Sequence, residues 1–484
     1  MKLLPDLLSF AASHYPDHTL IEGDRKTTYK TLEKKVNALS AFLISESIKK
    51  GDSVAIYLPN SIEFAISFFG VTRIGAIAVP INPSYKLEEL KYYISNSLSK
   101  IVLTDKTLEP LVLKSIEGLD TKLIVIRGGN LNLDEEMFVD IDSLDEELEA
   151  IYLYSTGSTG KPKRVSRTHK NLIALAENHT STVNWTAGDS LLFVVPVSHT
   201  YGFGNFISAV RVGAYIIFQD GFNRRKVIEV LDKYKVNVFP AVPFMIDMLS
   251  KTRVEESLDI SSLHFVLSAG APLSRESFFG FKEKFGVYPR QLYGSSETGV
   301  ISINVGEDIE KRYNSVGKPV QNVEVRIVDG MGEDCPANSV GEIIVRSRSM
   351  TTGYHNLPEE TAKAFKKGYY YTGDLGKFDD EGYIYIVGRK KLFINISGNK
   401  IDPIEVERVI ISNDKIDEAV VIGINDNRGG EYVKAIVVQR NEISTRELME
   451  FCRDRLAGFK IPKIIEFRDS LPKSPTGKIL RNKL

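Results

Sequence analysis

The sequence has little cysteine and no excess of charge of either sign. Its 484 residues include two cysteines, Cys335 and Cys452, which match no metal-ligand spacing and form no disulfide framework. This scarcity makes a reducing cytoplasm the expected location. The 62 basic and 63 acidic residues give a formal net charge of −1. Such a balance gives no electrostatic reason to expect a nucleic-acid partner.

The sequence also lacks a clear targeting or membrane segment. Pro5 and Asp6 interrupt the N-terminal leucines before they reach signal-peptide length, so we expect an amphipathic helix there. The run from Ser190 to Val210 carries no Asp, Glu, Lys or Arg. Because Pro196, His199 and nearby glycines interrupt it, the run predicts a buried strand, turn and helix rather than a membrane span.

The length and the apolar pattern predict an α/β protein with two domains. Helical-period segments alternate with short apolar strands from Thr27 to Thr104 and again from Ala150 to Leu267, which predicts two helix-covered αβ layers. Shorter strands separated by glycines, from Ile301 to Ile386, predict a small β-barrel or sheet. We assign residues 1–387 to an N-terminal core and residues 388–484 to a small, mobile α+β C-terminal domain.

A glycine- and hydroxyl-rich stretch, YSTGSTGKPKRV at Tyr154–Val165, follows an apolar strand. Glycines let backbone N–H groups turn toward an anion, and hydroxyls and lysines add donors and charge, so the stretch is typical of a phosphate-binding loop. It is not a Walker A motif, because Pro162 follows Lys161 and blocks helix entry. A flexible surface loop is the alternative. The candidate residues are Ser155, Thr156, Gly157, Ser158, Thr159, Gly160 and Lys163.

This stretch resembles the phosphate-binding signature of the adenylate-forming superfamily, which includes acyl-CoA and aryl-CoA synthetases, peptide-synthetase adenylation domains and beetle luciferases. Further stretches resemble the family's other motifs and keep the family's order. They are PVSHTYGFGN at Pro196–Asn205, SAGAP at Ser268–Pro272, YGSSETG at Tyr293–Gly299, YTGD at Tyr371–Asp374, NISGNKIDPIEVE at Asn395–Glu407 and PKSPTGKILRNKL at Pro472–Leu484. The resemblance extends from Tyr29 to Leu484.

The resemblance implies a carboxylate pocket beside PVSHTYGFGN. The residues that it assigns to this pocket are His199, Tyr201, Phe203, Ala269 and Gly294, with His199 bordering the reacting carboxylate. A His or Tyr beside glycines is as often simply packed, which stays an alternative. Amino-acid-activating members place an Asp in this region, whereas Leu191–Val210 contains no acidic residue. The substrate is therefore expected to be a small-molecule carboxylic acid without an α-amino group.

For ATP and Mg²⁺, the resemblance implies a second set of residues. Glu297 would hold Mg²⁺ between phosphate oxygens, since Mg²⁺ prefers one or two carboxylates plus substrate oxygens. Asp374, with Arg389, would bind the ribose hydroxyls. The other nucleotide-binding candidates are Gly270, Ala271, Pro272, Tyr293, Gly294, Ser295, Ser296 and Ile386. Without the resemblance, Glu297 would be a surface carboxylate and Asp374 a turn residue.

In the C-terminal domain, the resemblance assigns three residues. Lys478 matches the family's catalytic lysine, Gly398 the loop that faces the thiol, and Lys391, in the linker GRKK, the hinge. Arg164 departs from the family pattern, which usually has Gly after PK; it would either brace the loop or touch phosphate. Asn395 stands where luciferases have Lys, which makes light-emitting oxidation unexpected.

The implied reaction has two halves. A carboxylate attacks the α-phosphorus of Mg·ATP to give acyl-AMP and pyrophosphate, and the thiol of coenzyme A then displaces AMP. Loading of a carrier-protein phosphopantetheine is the alternative second half, which would make an acyl carrier protein a partner. A P-loop kinase is disfavoured by Pro162, and a nucleotide-binding protein without catalysis is a third hypothesis. A monomer or a homodimer is expected.

Overall fold

The computed structural model describes residues 1–129, 133, 144–155, 162–253, 258–390, 394–396, 399–425, 431–456, 458–474, 477 and 479–484. They belong to two compact units. The first holds the described residues of Met1–Gly157, Lys161–Val325 and Val345–Tyr370, and the second those of Arg326–Ile344 and Tyr371–Leu484. The second unit thus includes residues that the sequence assigned to the N-terminal core, and the boundary at 387/388 stays a prediction.

Eleven of the helices among the described residues lie in the first unit. They are α1 (Leu4–His14), α2 (Tyr29–Ser45), α3 (Ile62–Arg73), α4 (Leu87–Ser97), α5 (Glu109–Ile116), α6 (His169–Val183), α7 (Thr200–Val212), α8 (Arg224–Lys233), α9 (Pro243–Ser250), α10 (Arg275–Phe285) and α11 (Pro358–Ala364). The amphipathic N-terminal helix is confirmed as α1, whose leucines are buried. Nowhere in the described chain does a helix reach the length and apolarity needed to cross a bilayer.

A six-stranded sheet forms the first αβ layer. Its strands are β3 (Ser53–Tyr57), β4 (Ile77–Pro80), β5 (Ile101–Asp105), β6 (Lys122–Arg127), β7 (Glu149–Ser155) and β8 (Lys163–Thr168), in the spatial order β6-β5-β3-β4-β7-β8. The pairs from β6 to β7 are parallel, and β7 with β8 is antiparallel. The alternation of apolar strands and helices in the sequence therefore predicted this layer correctly.

A nine-stranded sheet forms the second layer. Its strands are β1 (Thr19–Glu22), β2 (Arg25–Thr28), β9 (Ser190–Phe193), β10 (Tyr215–Phe218), β11 (Val238–Ala241), β12 (Phe265–Ala269), β13 (Pro289–Ser295), β14 (Gly299–Ile303) and β15 (Lys318–Pro319), in the order β15-β14-β13-β12-β11-β9-β10-β1-β2. Strands β9 to β13 pair in parallel. Their carboxyl ends meet at one edge, the place where open α/β sheets bind ligands.

The predicted small β-sheet begins later than expected. Strand β14 belongs to the nine-stranded sheet, because it returns antiparallel along β13. The five-stranded sheet starts only at Val323; its strands are β16 (Val323–Val328), β17 (Gly341–Ser347), β18 (Phe365–Lys366), β19 (Tyr369–Phe378) and β20 (Ile384–Arg389). The order is β16-β17-β19-β18, with β20 paired to β19.

The C-terminal part of the second unit has its own α+β core. It contains the hairpin β21 (Ile394–Ile396) and β22 (Asn399–Ile401), helices α12 (Pro403–Ile411) and α13 (Thr445–Arg453), and a sheet of β23 (Ile416–Asn425), β24 (Glu431–Gln439) and β25 (Ile464–Phe467). Apolar residues of α12, α13, β23 and β24 pack into one buried cluster. The strands and helices predicted past Val387 are thus present, and their separation as a domain stays a prediction.

Candidate active site

The hairpin of β7 and β8 presents the predicted phosphate-binding loop. Ser155 ends β7 and pairs with Lys163 at the start of β8, so the two strands bring both ends of the loop together. Both side chains are half-buried. The other loop candidates, Thr156, Gly157, Ser158, Thr159 and Gly160, lie outside the described residues.

A chain of polar contacts connects Lys163 to Glu297. Lys163 Nζ lies 2.6 Å from Glu360 Oε2 and 4.7 Å from the centroid of the Tyr354 ring. The Tyr354 hydroxyl donates to Glu297 Oε1 at 2.9 Å. Burial, followed by the Glu297 charge, raises the pKa of Tyr354 far above its usual range, which keeps this hydroxyl a donor. The lysine of the loop and the candidate metal carboxylate are therefore held by one tyrosine.

Glu297 lies in the tight turn between β13 and β14 and is 6% exposed. Its backbone oxygen accepts a bond from Thr351 N at 2.8 Å, and the next residue, Thr298, is held by Ser295 Oγ. Gly294 has to be glycine, because a Cβ there would meet Gly299 O at 2.4 Å. These constraints fix the carboxylate at the edge of the sheet.

Arg167 is a functional candidate that the sequence analysis missed. Its side chain is fully buried, and Nη2 donates to the backbone oxygens of Ser349 and Thr298. Burial lowers the pKa of the guanidinium to about 9, while the Glu297 charge opposes the shift. Its Nε and Nη1 have no hydrogen-bond partner within the described part of the chain. Arg167 lies two residues after buried Val165, on the same face of β8. A charged residue at a position where the strand pattern predicts an apolar one was the available signal.

Helix α7 and its N-cap carry three of the predicted carboxylate-site residues, His199, Tyr201 and Phe203. His199 is exposed at the helix N-cap, where its Nδ1 accepts from Tyr201 N at 3.5 Å. Gly202 allows the tight turn into the helix, since a Cβ would meet Pro196 O at 2.2 Å. Phe203 is fully buried and packs against Phe68 of α3, with ring centroids 4.9 Å apart. His199 is thus the most accessible of these three residues.

A hydroxyl pair connects the carboxylate-site helix to the Glu297 turn. Thr200 Oγ1 at the start of α7 lies 2.9 Å from Ser296 Oγ. The half-buried Tyr201 packs against the core below the sheet, and burial raises the pKa of its hydroxyl well above the usual range. The structure therefore brings the PVSHTYGFGN and YGSSETG motifs into direct contact.

The segment Gly270–Pro272 follows β12 and is exposed. Gly270 has φ +91, in the left-handed region that favours glycine. Strand β12 pairs in parallel with β13, so this segment and the half-buried Tyr293 leave the sheet at the same edge. Ala269 itself is buried at the end of β12. A Cβ at Gly270 would meet no atom within 4 Å, so the backbone is open at this point.

In the second unit, Asp374 and Arg389 are paired. They lie opposite each other on β19 and β20, and Arg389 Nε donates to Asp374 Oδ1 at 2.6 Å. Asp374 is 9% exposed, and its backbone N donates to Thr372 Oγ1. Ile386, on β20, is half-buried. The predicted partnership of Asp374 with Arg389 is thus present as a contact.

The described residues of the C-terminal motif pair with one another, and Arg481 anchors them. Leu480 N donates to Pro472 O at 2.8 Å, and Gly477 has φ +79, in the left-handed region that favours glycine. Arg481 Nη2 binds both carboxylate oxygens of Glu407 on α12. Lys478 lies outside the described residues, as do Gly398 and Lys391. Glu407 is a second contact that the sequence analysis missed.

Comparisons with known proteins identify the family of the chain. The family model described as AMP-binding enzyme matches residues 8–355, and that of the AMP-binding enzyme C-terminal domain matches residues 405–478. An oxalate–CoA ligase of Arabidopsis thaliana is 32% identical over 99% of this chain and 97% of its own. A long-chain-fatty-acid–CoA ligase of Mycobacterium tuberculosis is 31% identical over 95% of this chain and 93% of its own.

Solved structures show the same relationship. The o-succinylbenzoate coenzyme A synthetase of Bacillus subtilis, solved with ATP and a magnesium ion, has a TM-score of 0.88 and 28% identity, covering 99% of this chain and 98% of that one. The match extends through both the αβ layers and the C-terminal part, which is why it supports the assignment of the whole chain. The chain therefore belongs to the family of AMP-binding enzymes and is an AMP-forming acid–CoA ligase.

Proposed function

We propose that this enzyme activates a carboxylic acid that has an apolar alkyl or aryl group and no α-amino group. The observation that carries the proposal is the apolar cross-strand row of Ala269, Leu292 and Ile303, all buried beside the candidate site. The row offers no carboxylate that could pair with an ammonium group, and the run from Ser190 to Val210 contains none either. Burying an unpaired ammonium group there would be unfavourable.

The phosphates of ATP are assigned to the loop that follows Ser155. Lys163, at the other end of this loop, would supply positive charge. The carboxylate and hydroxyl oxygens around Glu297 and Ser296 are the ligand types that Mg²⁺ prefers, so the donor set fits this ion. Bound there, Mg²⁺ would supply charge neutralisation for the transferring phosphate. The Tyr354 hydroxyl holds one Glu297 oxygen and orients the carboxylate.

The residues of the chain act mainly by positioning and by charge. His199 borders the attacking carboxylate, and the adenine and ribose are assigned to Gly270–Pro272 with Tyr293 and to Asp374 with Arg389. Lys478 is assigned to the charge that develops on the α-phosphoryl group during acyl-AMP formation. Gly398 is assigned to the approach of the pantetheine arm in the thioester step.

Coenzyme A is the proposed acceptor, and a holo carrier protein is the competing one. The curated relatives described above are CoA ligases, which supports the former. The scarcity of cysteine supports a reducing compartment such as the cytoplasm as the place of action. The structure contains one chain, and the oligomeric state stays a prediction of monomer or homodimer.

A panel of alkyl and aryl acids, assayed with Mg·ATP for pyrophosphate and AMP, tests the proposal. We expect carboxylate-dependent release of both products. Accumulation of ADP instead would revive the kinase hypothesis, and ATP binding without pyrophosphate release would indicate a protein without catalysis. Mass spectrometry after addition of CoA, or of a holo carrier protein, then identifies the acceptor.

A further inference from the structure

We infer that Arg164 is a positioning residue that fixes Ser155 and Lys163, the two ends of the proposed phosphate-binding loop, by tying their hairpin to the carboxyl end of α4. The inference rests on the proposed function, in which the loop between Ser155 and Lys163 holds the phosphates of ATP. The sequence left two alternatives for this arginine, bracing the loop or touching phosphate, and the structure favours the first.

The Arg164 side chain is directed into the protein. It is 6% exposed, and Nη1 donates to the backbone oxygen of Asn96 at 2.8 Å. Its guanidinium carbon lies 4.5 Å from the centroid of the Tyr152 ring, at cation–π distance. Asn96 is in the last turn of α4, where carbonyl groups lack helical partners and carry the negative end of the helix dipole. A buried cation is therefore well placed there.

Two tyrosines tie the same hairpin to the same helix. Tyr154, directly opposite Arg164 across the hairpin, donates from its hydroxyl to Asn96 Oδ1 at 2.9 Å. Tyr92, one helical turn before Asn96, donates to Pro162 O at 3.0 Å. The strand that enters the loop and the strand that leaves it are thus both bonded to one face of α4.

This anchoring bears on ATP binding because Ser155 and Lys163, held in place by the hairpin before binding, lose less conformational entropy when the phosphates bind. Glycine at position 164 would remove the donor to Asn96 O and uncover the Tyr152 ring, which leaves the hairpin freer. The change should weaken the binding of ATP and leave the binding of the acid unaffected. Thioester formation from supplied acyl-AMP needs no β or γ phosphate and should be spared.

The experiment compares Arg164→Gly, Arg164→Gln, Arg164→Lys and Tyr92→Phe in pyrophosphate release. Arg346→Gln is the matched control, since Arg346 is an exposed arginine paired with Glu324 on another part of the surface. We expect Arg164→Gly to raise KM for ATP about tenfold, the typical effect of one lost charge-assisted hydrogen bond, with KM for the acid changed less than about twofold. Tyr92→Phe should raise KM for ATP by a smaller factor. The double variant Arg164→Gly/Tyr92→Phe should raise it by less than the product of the two single factors, because both residues anchor the same hairpin.

Glutamine and lysine separate the two alternatives. Gln keeps a planar amide that can donate to Asn96 O but has no charge, so partial rescue by Gln supports positioning. Lys also keeps a charge and a donor for Asn96 O, so Lys alone does not separate the alternatives. Rescue by Lys but not by Gln, together with an unchanged KM for ATP in Tyr92→Phe, indicates contact with phosphate and overturns the inference. An unchanged KM for ATP in Arg164→Gly also overturns it. If Arg164→Gly does not fold, the Gln, Lys and Tyr92→Phe variants decide.

A readout without catalysis keeps this test independent of the proposed function. Subtilisin cleavage between Ser155 and Lys163, mapped by mass spectrometry in the absence of ligand, should be faster in Arg164→Gly than in the wild type. Equal cleavage overturns the anchoring role. If the proposed function is wrong, the result differs. The wild-type enzyme then releases no pyrophosphate with any acid, while Arg164→Gly is still cleaved faster than the wild type.

Discussion

Arg481 grips both carboxylate oxygens of Glu407, with Nη2 at 2.5 Å from Oε1 and 2.7 Å from Oε2. Its Nη1 donates to Val421 O at 2.6 Å, and Glu407 Oε1 also accepts from Val421 N. The C-terminal tail is thereby fixed to α12 and β23 only three residues after Lys478. The C-terminal segment, which the sequence alone would place on the surface, is thus held by the contacts of Arg481.

Replacing Glu407 with Ala should damage both the tail and acyl-AMP formation. Arg481 would lose its counter-ion and hold the tail less firmly, and for this partly exposed pair the loss should cost about 1 to 3 kcal/mol of unfolding free energy. Acyl-AMP formation should fall by about tenfold or more, because Lys478 would be less well held. Thermal unfolding and pyrophosphate release measure the two effects. Asp417→Ala, which breaks an exposed pair with Arg440, is the control and should change neither.

Glu297→Gln should slow acyl-AMP formation by about 10² to 10³, the usual loss for one charge contact at a transition state. The defect should be largest at limiting Mg²⁺, since the lost charge is the proposed metal ligand. Tyr354→Phe keeps the carboxylate and removes only its hydroxyl donor, so its effect should be smaller. Pyrophosphate release at a series of Mg²⁺ concentrations measures both. Unchanged release by Glu297→Gln at limiting Mg²⁺ would show that the assignment is wrong.

Phenylpropanoate should outcompete phenylalanine as a substrate. The two acids differ by an ammonium group, and the described residues of Ser190–Val210 offer it no carboxylate. Burying it unpaired costs several kcal/mol, so we expect a difference in kcat/KM of about 10² or more. Competition between the two acids in one reaction, read by mass spectrometry, gives the ratio. Comparable turnover would refute the proposed substrate class.

Substitutions in the C-terminal part should affect one half-reaction and spare the other. Lys478→Ala should abolish acyl-AMP formation, where the charge of the lysine acts, and spare thioester formation from supplied acyl-AMP. Gly398→Leu should accumulate acyl-AMP, and Lys391→Pro should mainly slow thioester formation by restricting the proposed hinge. Separate assays of each half are required. Equal loss of both halves in a folded Lys478→Ala variant would argue against this division.

The first unit should lose stability in acid because of two buried histidines. Burial lowers the pKa of His169 to about 4 and that of His179 to about 3. The unfolded chain, with a histidine pKa of about 6.5, takes up protons first as the pH falls. Stability is therefore fully present above about pH 6.5 and is lost below it, by up to about 1.4 kcal/mol per pH unit for each histidine.

Thermal unfolding at about pH 7.5 and about pH 5 measures this effect. His179→Gln should flatten the pH dependence, although it also loses the contact of the ring with Trp185. The exposed His264 provides the control, and His264→Gln should keep the wild-type slope. A wild-type slope in His179→Gln would contradict the assignment.

The sequence predicted those features that depend on local pattern. Alternation of apolar strands and helices gave the two αβ layers, since period-two and period-3.6 patterns must bury their apolar faces in a sheet covered by helices. The order of the motifs identified the candidate site before any contact was visible. The start of the small β-sheet was harder to predict from sequence. Strand β14 resembles the strands that follow it, and only its pairing with β13 places it in the nine-stranded sheet.

The tertiary structure decided how distant residues meet. Nothing in the sequence pairs Glu407 with Arg481, Tyr354 with Glu297, or Arg164 with Asn96, because each contact depends on where separate elements pack and not on spacing along the chain. The sequence by itself determined the family, the layers and the residue types available for phosphate, metal and acid. Only the fold decided which of those side chains are buried, held and oriented, since burial and hydrogen bonding arise from packing between elements.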